Sequence, residues 1–197
     1  MKKTVIYIHG KGGNADEAEH YKPLFSDCEV VGFDYRSQTP WEAKDEFKRF
    51  FGSFGGRVTL VANSIGAFFA MNSLSEDEVG EAFFISPIVD MEKLIRDMMK
   101  WAGVYEDELR ARKEIPTDFG ENLSWEYLCY VRRHPVEWKV PTRILYGERD
   151  RLTDIATMTA FSERINAPLT VMKGGEHWFH TEEQMKFLDV WIKNALK

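Results

Sequence analysis

Leu60-Val61-Ala62-Asn63-Ser64-Ile65-Gly66-Ala67 decides the fold of this chain. An apolar, strand-like run leads into a serine, and a helical pattern beginning Gly66-Ala67-Phe68-Phe69-Ala70 leads out of it. A serine held on a sharp strand-to-helix turn needs small residues two positions before and two after it, so that strand and helix can approach; Ala62 and Gly66 stand there. Such a turn lifts the hydroxyl to the top of the sheet, beside the positive end of the following helix, where developing negative charge is favoured. Ser64 is therefore the candidate nucleophile. The plainer alternative is a buried strand with an incidental serine, followed by a helix with a glycine near its start.

Working outward, short apolar runs alternate with helical patterns, the signature of a parallel sheet with crossover helices. Strands are expected over residues 4–9, 29–34, 57–62, 81–86, 142–147 and 168–173. Most are nearly continuous in apolar residues, as strands covered on both faces should be. Thr39-Pro40-Trp41-Glu42 places a capping threonine, a proline at the first helical position and a glutamate at the third, with Gly52 as the stop. Thr181-Glu182-Glu183-Gln184 is a second capping box, opening a helix with Met185, Leu188, Ile192 and Ala195 on one face. The stretch at about 88–140 breaks the rhythm. It carries helical spacing over 90–101 and 125–133, more helix than one crossover needs, and reads as a helical cap inserted before the strand at 142. The whole chain, 1–197, reads as one domain carrying that insertion.

A serine hydroxyl becomes a useful nucleophile only when a base takes its proton, and histidine suits that task near neutral pH. Among five histidines, His177 stands in Gly174-Gly175-Glu176-His177-Trp178-Phe179, between the last strand and the last helix and so on the same rim as Ser64. His180 shares that loop and is the competitor. The base needs an orienting carboxylate. Asp150, in Gly147-Glu148-Arg149-Asp150-Arg151, follows a strand end closely, with Glu148 and Asp154 as rivals; Asp154 fits better as a helix cap beside Thr153. After the first strand, His9-Gly10-Lys11-Gly12-Gly13 lets backbone N–H groups approach a substrate oxygen, and the backbone N–H groups of Lys11 and Ile65 are the expected oxyanion donors.

These four segments resemble, in order along the chain, the landmarks of the α/β-hydrolase superfamily: oxyanion loop, serine, acid and histidine. The resemblance implies an α/β fold with a mostly parallel sheet of about six strands flanked by helices, lacking the family's first strands, and a helical cap. It implies a Ser64–Asp150–His177 triad that forms an acyl-enzyme on an ester-type substrate, with no metal and no organic cofactor. Ala62 departs from the family pattern, where glycine is usual.

Composition narrows the classes further. A net charge of −6 gives no basic footprint for nucleic acid, and no run approaches the roughly 20 apolar residues of a membrane span. Cys28 and Cys129 have no metal or redox spacing and read as free thiols, which with the absence of a signal-peptide pattern suggests a cytoplasmic protein. The expected partner is a small-molecule ester; oligomeric state is not legible. Among the aromatic and methionine residues that suit an apolar substrate pocket, Met98, Trp101 and Trp178 are the candidates. Two rival functions carry motifs of their own. Gly10-Lys11-Gly12-Gly13-Asn14-Ala15 fits a G-x-G-x-x-A loop for NAD(P) in an oxidoreductase, with Asp34 at about the ribose-binding spacing, although Pro23 interrupts the helix that should follow. A non-catalytic binding protein on the hydrolase fold is the other.

Overall fold

A computed structural model describes residues 3–197. The chain divides into two compact units, one containing Met1–Val89 and Glu137–Lys197, the other Asp90–Val136.

The larger unit is built on a six-stranded parallel sheet: β1 (Lys3–Ile8), β2 (Cys28–Phe33), β3 (Val58–Asn63), β4 (Val79–Ile85), β7 (Thr142–Gly147) and β8 (Leu169–Met172), in the spatial order β2-β1-β3-β4-β7-β8. All six expected strands are present; the one at 142–147 has the expected bounds and the other five differ at their ends by a residue or two. The inner strands are almost wholly buried, which is why their sequences run apolar instead of alternating. On one face the helix α1 (Pro40–Phe51) packs with α2 (Ser64–Ser73), and a cluster of rings from Phe33, Tyr35, Phe47, Phe51 and Phe69 fills the space. A second core joins Tyr7, Val61, Phe83 and Leu145 to Leu188, Trp191 and Ile192 of α7 (Glu182–Ala195).

Local chemistry sets the element ends. Thr39 and Glu42 form the capping box of α1, with Pro40 in its first turn. Gly52 ends that helix at φ −64°, so close approach and not handedness explains the glycine: a Cβ there would stand 2.9 Å from the Lys48 carbonyl. Asp154 caps α6 (Ile155–Arg164) by accepting from the Thr157 N–H.

Strand order fixes where a site can form. The chain leaves β1 toward β2 and leaves β3 in the opposite direction, so the connections part at the carboxyl ends of β1 and β3. A crevice opens at such a switch point in open parallel sheets. Ser64 follows β3 directly, and His9-Gly10 follows β1.

The smaller unit holds α3 (Met91–Trp101), α4 (Glu106–Arg112), an antiparallel pair of β5 (Glu114–Pro116) with β6 (Asn122–Ser124), and α5 (Trp125–Arg133). The two short strands correct the expectation of helices alone: Pro116 ends β5, and Gly120 takes φ +83° in the turn that leads to β6. Met99, not Met98, occupies the buried stripe of α3 with Met91, Leu94 and Ile95. Arg132 of α5 binds Glu106 through both terminal nitrogens, at 2.7 and 2.8 Å, and Glu92 at 2.9 Å, fastening α3, α4 and α5 together.

Candidate active site

Ser64 sits at the end of β3 with φ +50°, a region that non-glycine residues avoid because the Cβ crowds the backbone. Packing around the turn holds it there. A Cβ on Gly66 would lie 2.3 Å from the His9 carbonyl oxygen, so the first turn of α2 rests directly on the chain leaving β1. Ala62 is fully buried on β3, paired with Ile8 of β1 on one side and Phe84 of β4 on the other.

The Ser64 Oγ lies 2.8 Å from His177 Nε2, and His177 Nδ1 lies 2.7 Å from Asp150 Oδ2. Because a carboxylate accepts, Nδ1 carries the ring hydrogen and donates it to Asp150, leaving the Nε2 lone pair facing the serine hydroxyl. The other Asp150 oxygen, Oδ1, accepts from the Leu152 N–H at 2.8 Å and the Thr153 N–H at 3.3 Å. The Asp150 side chain is wholly buried, whereas His177 keeps a fifth of its side-chain surface open. The carboxylate is thus fixed on every side while the imidazole remains reachable.

Three hydrogen bonds stitch the loop carrying Asp150 to the segment carrying His177. The Arg149 N–H donates to the Gly175 carbonyl at 2.7 Å, the Glu148 N–H to the Met172 carbonyl at 3.0 Å, and the Gly174 N–H to Glu148 Oε2 at 2.8 Å. Gly147 has no side chain because one would strike the Glu176 carbonyl at 2.4 Å. Tyr146 donates to the Thr153 carbonyl at 2.8 Å, and burial, with Asp150 and Asp154 nearby, pushes its hydroxyl up to about 12.

Beyond β1, the Gly13 N–H closes a turn on the Gly10 carbonyl at 3.2 Å. This loop passes against the serine: a Cβ built on Gly10 would come within 3.2 Å of the Ser64 Cβ. His9 stacks on Tyr35, with ring centres 4.3 Å apart, and its Nδ1–H donates to the Gly10 carbonyl at 2.8 Å. The Tyr35 hydroxyl in turn donates to the His9 carbonyl at 3.1 Å.

Residues 5–190 match the profile of the alpha/beta hydrolase family. The chain belongs to that family. Comparison by sequence with curated proteins gives no match. Comparison by structure gives many. Alpha/beta hydrolase domain-containing protein 10 from mouse superposes with a TM-score of 0.76 at 17% identity, covering 100% of this chain and 90% of that one. Est1E from Butyrivibrio proteoclasticus gives 0.75 at 17% identity, covering 100% and 88%. A monoacylglycerol lipase from Paleococcus ferrophilus gives 0.65 at 15% identity, covering 97% and 94%. At these identities the structural likeness speaks for the fold.

Within this alpha/beta hydrolase the structure brings Ser64, His177 and Asp150 into one hydrogen-bonded line, with the Gly10–Gly13 loop beside it. The rival residues are engaged elsewhere: Asp154 caps α6, Glu148 binds Gly174, and His180 donates from Nδ1 to the Trp178 carbonyl at 2.7 Å while stacking on the Trp178 ring. Trp178 is 70% exposed beside His177. In the smaller unit Met98 is half-buried, and Trp101 is exposed and edge-on to Phe119. The dinucleotide reading of the Gly10 loop loses its helix: a seven-residue 3-10 helix, Ala15–Tyr21, follows, and the Ala15 carbonyl lies only 2.0 Å from where a Gly32 Cβ would be. No α-helix N-terminus is present there to receive a pyrophosphate.

Sequence reading passed over a group that contacts Asn63, the residue before the nucleophile. The Tyr7 hydroxyl donates to a Glu17 carboxylate oxygen and accepts from Asn63 Nδ2 at 2.9 Å. Burial first, then the neighbouring Tyr21 and Glu17, holds the Tyr7 hydroxyl far above the usual phenol range, so it keeps its hydrogen. The sequence signal there, Asn14 and Glu17 at capping-box spacing, announces a helix start and not a contact with Tyr7.

Proposed function

We propose that the chain is a serine hydrolase that cleaves a small carboxylic ester through an acyl-enzyme, with Ser64 as nucleophile, His177 as base and Asp150 as the group that orients the base. The line from Ser64 Oγ through both ring nitrogens of His177 to Asp150, with contacts of 2.8 and 2.7 Å, carries this reading. The oxyanion donors are the backbone N–H groups of Lys11 and Ile65, the latter just after the nucleophile in the first turn of α2. Trp178, exposed and next to His177 in the chain, is the proposed substrate contact on that loop.

As Ser64 Oγ attacks the ester carbon, its proton passes to His177 Nε2, and the carbonyl electrons collect on the oxygen held by the two N–H groups. Collapse expels the alcohol, which takes the proton from Nε2 and leaves an acyl group on Ser64. Water then attacks the acyl carbon, giving a proton to Nε2; the second collapse releases the carboxylic acid and returns that proton to Ser64. Asp150 keeps the imidazole in the required tautomer throughout and opposes the positive charge it acquires. The histidine is already within hydrogen-bond reach of the serine, so no rearrangement is needed before the first step.

We place residues 1–197 in one hydrolase domain carrying a helical cap insertion at about 88–140. We also place the protein in the cytoplasm, in keeping with its free thiols at Cys28 and Cys129. No helix among the described residues is long and apolar enough to cross a membrane.

A fluorophosphonate probe and a series of nitrophenyl esters test the reading. The probe should label Ser64, and Ser64→Ala should abolish labelling and lower ester turnover by several orders of magnitude while leaving the melting temperature near that of the parent. Hydrolysis unchanged by Ser64→Ala, or label carried on another residue, overturns it.

A further inference from the structure

We infer that Tyr7 and Glu17 are positioning residues for the nucleophile: a polar relay running from the carboxylate of Glu17 through the Tyr7 hydroxyl to the Asn63 side chain sets the turn on which Ser64 stands. The inference rests on Ser64 being the nucleophile.

The relay has a direction that its chemistry dictates. A carboxylate cannot donate, so the Tyr7 hydrogen must go to Glu17. The Tyr7 oxygen is then left as an acceptor, and Asn63 must present its NH₂ group to it, at 2.9 Å. One choice at Glu17 therefore fixes which way the Asn63 amide faces. Asn63 is the residue immediately before Ser64, in the strained turn at φ +50°. Anchoring the Asn63 side chain on Tyr7 restricts the backbone that leads directly into Ser64.

The same carboxylate also contacts the glycine loop that follows β1. Glu17 Oε1 accepts from the Asn14 N–H at 3.3 Å, and a Cβ on Gly13 would fall 2.6 Å from that oxygen and 3.0 Å from the His9 Cβ. Gly13 thus lets the glycine loop lie directly on Glu17. Glu17 is exposed as a residue, whereas Tyr7 is wholly buried and stacked on Tyr21 at 4.9 Å. A buried phenol between a surface carboxylate and the residue before the nucleophile costs more than a phenylalanine unless both its hydrogen bonds are made, and both are. Packing alone would be served as well by phenylalanine.

Three variants separate positioning from general loosening. Tyr7→Phe keeps the ring and removes the relay. Glu17→Gln keeps the shape, but its amide must turn a donor toward either Tyr7 or the Asn14 N–H. His20→Ala is the control: it sits on the same 3-10 helix and loses the 2.7 Å bond to Asp189 on α7 and an edge contact with the Tyr21 ring, but no hydrogen bond of the relay. Tyr7→Phe and Glu17→Gln should each lower kcat and the fluorophosphonate labelling rate about tenfold with KM little changed. The double variant should fall no further than Tyr7→Phe, because both act through one chain of contacts. His20→Ala should leave both rates at the parent value. Parent-like rates in both Tyr7→Phe and Glu17→Gln, or losses that multiply in the double variant, overturn the relay; so does a loss in His20→Ala equal to theirs. If Tyr7→Phe fails to fold, Glu17→Gln against His20→Ala decides alone. An unlabelled parent protein would instead strike at the assignment of Ser64, a separate result.

Discussion

A methyl group added at Gly66 would meet the His9 carbonyl at 2.3 Å and the Ile8 Cγ2 at 2.8 Å. The side-chain carbon can swing aside, but the carbonyl is backbone at the end of a buried strand, so α2 or the glycine loop must move. Gly66→Ala should therefore destabilise the fold by about 1–3 kcal/mol in chemical denaturation. It should also slow fluorophosphonate labelling, because the displaced elements are those flanking Ser64. Gly12, at φ +78° with open space where a Cβ would go, offers the contrast: a residue there meets backbone strain alone. At this scale the meeting of Ser64, His177 and Asp150 could be anticipated because each follows a strand of the sheet on the same rim, at the strand end or in the loop beyond it. Tyr7 and Glu17 were not: a tyrosine inside an apolar strand reads as core, and a glutamate at capping spacing reads as a cap. Their meeting depends on the 3-10 helix folding back across β1, which no local spacing encodes.

The starts of α1 and α7 were readable to the residue: α1 has a full capping box and a proline in its first turn, whereas α7 has the Thr181 cap and an apolar stripe, its Gln184 side chain binding the His180 N–H and not closing the box. The hairpin of β5 and β6 was not, since three-residue strands are shorter than any periodicity that could announce them. Nor was α4, seven residues with one buried leucine, Leu109. The legible cap of α1 gives the prediction proper to this scale. Thr39 accepts from the Glu42 N–H while the Glu42 side chain binds back to the Thr39 N–H. Thr39→Ala should cost about 1 kcal/mol, lowering the melting temperature by roughly 2–4 °C, with kcat on the test ester unaltered. A melting curve that coincides with the parent's would show that the cap contributes nothing.

Across the whole molecule, Tyr7, Tyr21 and Tyr35 share one electrostatic situation. Burial is the first cause in each, reinforced by acidic neighbours, and it raises their hydroxyls well above the ordinary phenol value of about 10. The unfolded chain therefore releases these protons at lower pH than the folded one. Their contribution to stability is complete below about pH 10 and is lost as pH climbs through the raised folded values. Denaturant midpoints should hold steady from neutral pH to about 9 and fall beyond 10, and the tyrosinate absorbance of these three should emerge with unfolding instead of before it. Gradual titration of every tyrosine in the intact protein would contradict this.

The sheet order carries one more consequence. Ser64 and His177 touch across 113 positions of sequence, with β4, β7 and β8 laid down between them. The hydroxyl is delivered by the early half of the chain and its base by nearly the last loop before the terminal helix. On the proposed roles of these two residues, a refolding chain should regain fluorophosphonate labelling no earlier than the loop after β8 closes on Ser64, and labelling that precedes recovery of the sheet would contradict this.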